Sequence, residues 1–107
     1  MKKAYVGKWR IQEMDAWDKD FIDMIVPGHL IIEKDGTGFF QFGTVEGEID
    51  CRIEKVHDKE RIDFSWEGEE EGDSASGRGW ASIEGERMTG KIYFHLGDES
   101  GFKATKE

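Results

Sequence analysis

Two neighbouring segments in the middle of the chain alternate between apolar and polar residues almost without interruption. They cover residues 45–54 and 61–67, and a polar break at residues 57–60 lies between them. The positions on the apolar side are Val45, Gly47, Ile49, Cys51, Ile53, Ile62, Phe64 and Trp66. A period of two is typical of strands with one face on a core and the other in water. The pattern therefore predicts an antiparallel hairpin at the centre of a meander.

The same alternation recurs before and after this hairpin. The other predicted strands are residues 5–13, 30–34, 37–42, 74–83 and 88–96, followed by a short strand that carries Phe102 and Ala104. Residues 67–73 are expected to form a mobile loop, because the like charges of Glu69-Glu70-Glu71 repel one another. Short strands at regular spacing predict an all-β fold, a small up-and-down meander barrel of about eight strands. Closure is favoured because it removes exposed strand edges.

One short helix is predicted between the first and second strands. Asp15 is the predicted N-cap, and Pro27 ends the helix because the residue before a proline avoids the α region. Apolar residues recur between them at a spacing of three to four, which gives one apolar stripe. The stripe consists of Trp17, Phe21 and Met24 or Ile25. We expect the helix to lie across an open end of the sheet as a plug.

The length, charge and cysteine content of the chain limit the kinds of protein that it can be. A length of 107 residues predicts a single domain spanning residues 1–107. The net charge of −9 disfavours nucleic-acid binding, because a phosphate backbone would be repelled. Cys51 is the only cysteine and is expected to be buried as a small hydrophobe, so no disulfide can form within the chain. No apolar run approaches the roughly 20 residues of a membrane span. These features predict a cytoplasmic protein.

The start of the first strand carries a resemblance to a known family. Gly7-Lys8-Trp9 resembles the Gly-x-Trp opening of the calycins, the group of lipocalins and fatty-acid-binding proteins. A helix after the first strand, followed by a meander, is similar to the fatty-acid-binding arrangement, and the chain also resembles short bacterial lipocalin-like proteins. The resemblance implies that Trp9 closes the floor of a barrel. The family's Arg-x-Tyr carboxylate clamp is not matched by residues 102–105, so the resemblance does not imply fatty-acid recognition by that clamp.

No group of residues indicates catalysis. His29, His57 and His95 are dispersed among different elements, without the spacing of metal ligands. No serine lies in a nucleophile-elbow context, and no glycine-rich phosphate loop follows a strand. We therefore expect a protein that is not an enzyme and that needs no cofactor or metal.

One stretch, residues 76–80, suggests a ligand site. Arg78 and Trp80 lie on the same face of the predicted strand. If they face inward, Arg78 can bind an anionic group near a barrel mouth, with Trp66 as an apolar wall. In the alternative, Ala81 and Ile83 face the core and Arg78 is outside, paired with a carboxylate. The leading hypothesis is a non-enzymatic binding protein that takes a small anionic or amphipathic ligand at one barrel mouth.

The outward face of the central hairpin suggests a second function. Its predicted carboxylates are Glu46, Glu48, Asp50, Glu54, Asp63 and Glu67. Only Arg52 and Arg61 offset them, and like charges that face each other across strands repel. A basic partner would gain from this concentration, chiefly in association rate. The alternative function is an acidic interaction module that docks a basic protein partner; the other interpretation is a solvated face.

Overall fold

The computed structural model describes residues Met1–Glu107, and its eight antiparallel strands form a closed barrel. In chain order the elements are β1 (Gly7–Met14), α1 (Lys19–Ile22), β2 (His29–Ile32), β3 (Thr37–Phe42), β4 (Val45–Val56), β5 (Lys59–Glu70), β6 (Asp73–Glu84), β7 (Arg87–Phe94) and β8 (Glu99–Lys106). Each strand pairs with the next, and β8 pairs with β1. The predicted all-β, up-and-down architecture with one short helix after the first strand is therefore confirmed.

Two-residue turns join the long strands β4, β5 and β6. At His57-Asp58 the φ angles are 53° and 64°, and at Glu71-Gly72 they are 51° and 85°. Positive φ at both turn positions matches the right-handed twist of the flanking strands. The predicted mobile loop at residues 67–73 is therefore wrong, because the ladder continues to the pair Glu70↔Asp73. Successive glutamates point to opposite sides of the strand, which separates their charges.

The inward side chains form one continuous core. Its buried members include Trp9, Ile11, Leu30, Ile32, Phe40, Phe42, Val45, Ile49, Cys51, Ile62, Phe64, Trp66, Ile92 and Phe102. Ile53, predicted inside, is instead 37% exposed. Strand β3 pairs with β4 only as far as Asp50, so Ile53 has no neighbouring strand on that side.

Trp9 lies near the start of β1 and is completely buried. Its indole N–H donates to the carbonyl oxygen of Tyr5 at 2.9 Å, and Lys106 Nζ lies 5.0 Å from the ring centroid. Residues 3–5 form a turn, so β1 begins at Gly7 and not at Tyr5 as predicted. Trp9 thus fixes the chain where it enters the barrel, at the end opposite α1.

Inward glycines make room for the aromatic rings of the core. A Cβ atom added to Gly47 would lie 2.6 Å from Phe40 Cε2 and 2.9 Å from Trp66 Cε3. Gly79 and Gly90 face the rings of Phe64 and Phe102 in the same way. A void lined by core side chains measures about 20 Å³, room for about one water molecule and far too small for a ligand. The barrel interior is therefore filled.

The segment between β1 and β2, which contains α1, covers the end of the barrel where β3 and β7 finish. The ring centroid of Trp17 lies 5.1 Å from that of Phe42 and 5.8 Å from that of Phe94. Phe21 lies against Gly43 in the turn after β3. The position of the segment is that expected of a plug.

The helix itself is shorter than predicted. Its N-cap is Asp18, whose carboxylate accepts from the backbone N–H of Phe21 at 2.9 Å. The prediction of Asp15 is wrong because Asp15 is bonded to Gly101, which extends the β1–β8 contact. The helix ends at Ile22, so Met24 and Ile25 lie beyond it and are 53% and 60% exposed. Ile22, which is fully buried, takes their place in the core.

Asp23 ties this segment to the barrel wall. Its Oδ2 accepts from Arg10 Nη2 at 3.0 Å and lies 3.2 Å from Lys19 Nζ, while Oδ1 accepts from the backbone N–H of Gly28 at 2.9 Å. The hydrogen bond from Arg10, followed by those from Gly28 and Lys19, holds the pKa of Asp23 well below its usual 3.8. Asp23 therefore joins α1, β1 and the start of β2.

We predict that Trp66→Ala lowers the free energy of unfolding by about 3–5 kcal/mol, as for other large core aromatics. Trp66 is only 2% exposed. Glu48→Ala, on the outer face, is the control and should change stability by less than about 0.5 kcal/mol. Urea titration of both variants tests this, and equal losses would contradict the assigned facing.

A second prediction concerns acid stability. Because the folded-state pKa of Asp23 is depressed, its contribution is complete above pH 3.8 and is lost as the pH falls towards the folded-state pKa. Asp23→Asn should cost about 1–2 kcal/mol at neutral pH and flatten the loss of stability below about pH 4. Asp20→Asn, in the same helix, is the control and should keep the steep acid loss. Thermal melts between pH 2 and 7 measure both, and identical profiles would contradict the role of Asp23.

Candidate functional site

The outer face of β4 to β7 carries an open depression of about 770 Å³. Strand register aligns two rows of outward side chains across it. The first row is Glu48, Glu67, Ser76 and His95, and the second is Asp50, Ser65, Arg78, Tyr93 and Glu99. Leu96 and Asp98, from the turn between β7 and β8, complete the rim. We call this depression, with its two rows and rim, the acidic trough.

Small side chains explain why the surface is concave here. Ser65 and Ser76 occupy the middle positions of the two rows, so the floor lies below the longer side chains on either side. Five carboxylates line the trough, from Glu48, Asp50, Glu67, Asp98 and Glu99, whereas Arg78 is the only arginine or lysine there. Two of these carboxylates are paired with cations just outside the lining, Asp50 with Arg52 at 2.8 Å and Glu99 with Lys91 at 3.3 Å, but the trough remains net negative and presents a negative field to solvent.

Two pairs of glutamates face each other directly across β4 and β5. Glu48 is opposite Glu67, and Glu46 is opposite Glu69. No lysine or arginine nitrogen lies within 4.0 Å of any of these four carboxylates. Like charges placed opposite each other in a sheet are destabilising. The negative charges of these four glutamates are therefore left without a paired cation.

The other carboxylates of the predicted interaction face have an arginine beside or opposite them. Asp50 lies 2.8 Å from Arg52, and Asp63 lies 2.8 Å from Arg61. Glu54 is directly opposite Arg61 in the register. All six predicted side chains project outward, but only Glu46, Glu48 and Glu67 lack a cationic neighbour of this kind.

The inward orientation considered for Arg78 and Trp80 is wrong. Gly79 and Ala81 are buried, so the residues that alternate with them face outward. The physical reason is space, because a Cβ at Gly79 would collide with the ring of Phe64. Arg78 is not paired with a carboxylate either, and its Cζ lies 4.2 Å from the ring centroid of Tyr93.

The other two predicted ligand residues have different surroundings. Trp66 lies in the core beneath the trough, and its indole N–H donates to the carbonyl oxygen of Tyr93 at 3.1 Å. Trp80 lies on the outer face, with Arg61 Cζ 5.0 Å from its ring centroid. Trp66, Arg78 and Trp80 therefore do not surround one internal pocket.

Other reactive groups lie apart from the trough or have little reactivity. Burial raises the pKa of the Cys51 thiol to about 11, which keeps it protonated at neutral pH. No three side chains among histidine, cysteine, aspartate and glutamate are grouped so that they could hold a metal ion. The chain has no helix that is long and apolar enough to cross a membrane.

Sequence reasoning did not identify Tyr93 and the turn after it as part of a site. Tyr93 was on the outward side of the predicted alternation, but its position beside Arg78 depends on the register of β6 with β7. Leu96 has a φ of 56° and is 95% exposed, which places an apolar side chain at the rim. An outward tyrosine is the only signal that the sequence offered, since the alternation placed Leu96 on the inward side together with Phe94.

No protein-family model matches this chain, and no curated protein matches it. The chemistry of the trough follows from its own residues. It combines uncompensated carboxylates, one aromatic ring and one apolar side chain at the rim, a set suited to binding an amphipathic cation.

We predict that Glu67→Lys raises the free energy of unfolding by about 0.2–1 kcal/mol, because it replaces the repulsion from Glu48 by attraction. The matched control is Glu54→Lys, which should lower stability by a similar amount because Glu54 faces Arg61. Urea titration at low ionic strength measures both changes. A loss in both variants would show that cross-strand charge does not control stability on this face.

Proposed function

We propose that this protein is a non-enzymatic binding protein whose acidic trough docks a basic segment of a partner protein. The observation that carries the proposal is the direct opposition of Glu48 and Glu67, without a cation, at the edge of a depression of about 770 Å³. A lysine or arginine side chain between these carboxylates would replace a repulsion by two attractions. The partner therefore supplies the positive charge that is missing between Glu48 and Glu67.

The shape of the trough favours an extended peptide segment. It is open along one side and is built from four neighbouring strands, so a chain can lie across the two rows of side chains. Concave, like-charged surfaces concentrate counter-charged ligands and speed their association. We expect fast, salt-sensitive binding.

A small anionic or amphipathic ligand at a barrel mouth has less support. The void described above among the core side chains is about 20 Å³, too small for such a ligand, and Arg78 is outside the barrel. An anion in the trough would meet five carboxylates and one arginine. For these reasons we favour the basic partner.

We also propose a lipocalin-like relationship, a bacterial origin and a cytoplasmic location. The closed eight-stranded meander, the helix after β1 and the buried Trp9 support the first. The second rests on the sequence resemblance to short bacterial lipocalin-like proteins alone. The single free, buried Cys51 supports a reducing compartment, since no disulfide stabilises the chain.

Binding of a labelled octalysine peptide tests the docking proposal. At an ionic strength of about 0.01 M, where surface charges are weakly screened, fluorescence anisotropy should show saturable binding. The double variant Glu48→Gln/Glu67→Gln should weaken this binding about tenfold, which corresponds to about 1.4 kcal/mol. Binding by the unaltered protein should weaken steeply as salt is raised.

The matched control is Glu54→Gln/Glu84→Gln, which removes the same charge from positions opposite Arg61 and Arg87. It should retain most of the affinity. Equal weakening in both double variants would mean that only net charge matters, and absence of saturable binding to the unaltered protein would contradict the proposal.

A further inference from the structure

Two cationic side chains of the protein already lie near the Tyr93 ring of the acidic trough, the Arg78 guanidinium and, farther from it, the Lys91 ammonium at 5.4 Å from the ring centroid. Arg78 is exposed, and its Cζ lies 4.2 Å from the centroid of Tyr93, a distance typical of a cation–π contact. Asp50 and Glu99 stand in the same row of side chains, yet Arg78 makes no ion pair with either. The guanidinium thus lies on the ring although carboxylates are near.

The backbone of Tyr93 is held in a fixed place. The residue pairs with Arg78 on one side and with Glu99 on the other. Its carbonyl oxygen accepts the indole N–H of Trp66, a residue buried in the core, at 3.1 Å. Because the backbone is anchored in this way, the side chain of Tyr93 leaves the sheet at a fixed point, and its half-buried ring lies at the trough.

We propose that Tyr93 is a guanidinium-binding seat, which Arg78 occupies in the free protein and an arginine of the basic partner occupies in the complex. This inference rests on the proposed docking function and specifies its partner as arginine-rich. The seat distinguishes arginine from lysine because a guanidinium is planar, stacks on aromatic faces and is more weakly hydrated than an ammonium group.

Displacement of Arg78 needs no rearrangement of the barrel. Arg78 is an exposed side chain on β6, and its alternation places it on the outer face, away from the core. Once released, its charge can turn towards the carboxylates at either end of its row, Asp50 and Glu99, which already pair with Arg52 and Lys91. The incoming arginine therefore competes with surface side chains, chiefly Arg78, and not with the packing of the barrel.

Octaarginine and octalysine peptides of equal charge test the seat. The unaltered protein should bind octaarginine more tightly. Arg78→Gln removes the guanidinium from the ring and leaves only Lys91, 5.4 Å from the ring centroid; it should increase the ratio of the two affinities about fivefold, the size expected of one cation–π contact of about 1 kcal/mol. Tyr93→Leu should bring the ratio close to one while octalysine still binds.

The charge-matched control is Lys103→Gln, on β8 beside Glu13. It should strengthen the binding of both peptides equally and leave the ratio of the two affinities unchanged. If Arg78→Gln also leaves the ratio unchanged, the seat is refuted while the docking function stands. Absence of binding of either peptide to the unaltered protein refutes both. Because Arg78 is exposed, its variant remains informative even if Tyr93→Leu is unstable, which thermal melts would reveal.

Discussion

The narrow interior of a closed eight-stranded barrel is the constraint on which this structure depends. An interior of this size is only just wide enough for side chains to fill it. Here large rings and glycines share the space, as where Phe40 and Trp66 approach Gly47 too closely for any Cβ atom. The same arrangement fixes which way each strand faces, because only one phase of the alternation places the glycines under the rings. The filled interior follows from this fit, and so does the location of the candidate chemistry on the outer surface.

The geometry of the acidic trough follows from that packing. Gly77 and Gly79 face inward, so Arg78 between them must face outward, next to Tyr93 on the neighbouring strand. The hydrogen bond from Trp66 to the backbone of Tyr93 joins the two sides of the sheet at this point. Core and surface are thus connected through the backbone, while their side chains remain on separate faces.

Strand existence and facing could be predicted from the sequence because burial on one side produces a period of two. Features that depend on long-range contacts could not be predicted from the sequence. Asp15 and Asp18 are equally good local caps, and the bond to Gly101 decides between them. The acidic side chains were predicted to face outward, but the direct opposition of Glu48 and Glu67 requires the two-residue turn after β4. Arg78 could not be oriented because glycines on both sides of it carry no hydrophobic signal.

The filled interior also has an evolutionary consequence. Mutations at exposed trough positions such as Arg78 and Glu67 change neither the volume nor the shape of the core. The charge pattern of the outer face can therefore drift by single substitutions at little cost to folding, whereas a substitution at Gly47 or Gly79 disturbs a ring at once. Descendants of this chain can keep the same glycine spacing and barrel while the charge on their outer faces changes sign. For such a lineage, shared architecture would be a poor guide to shared partners.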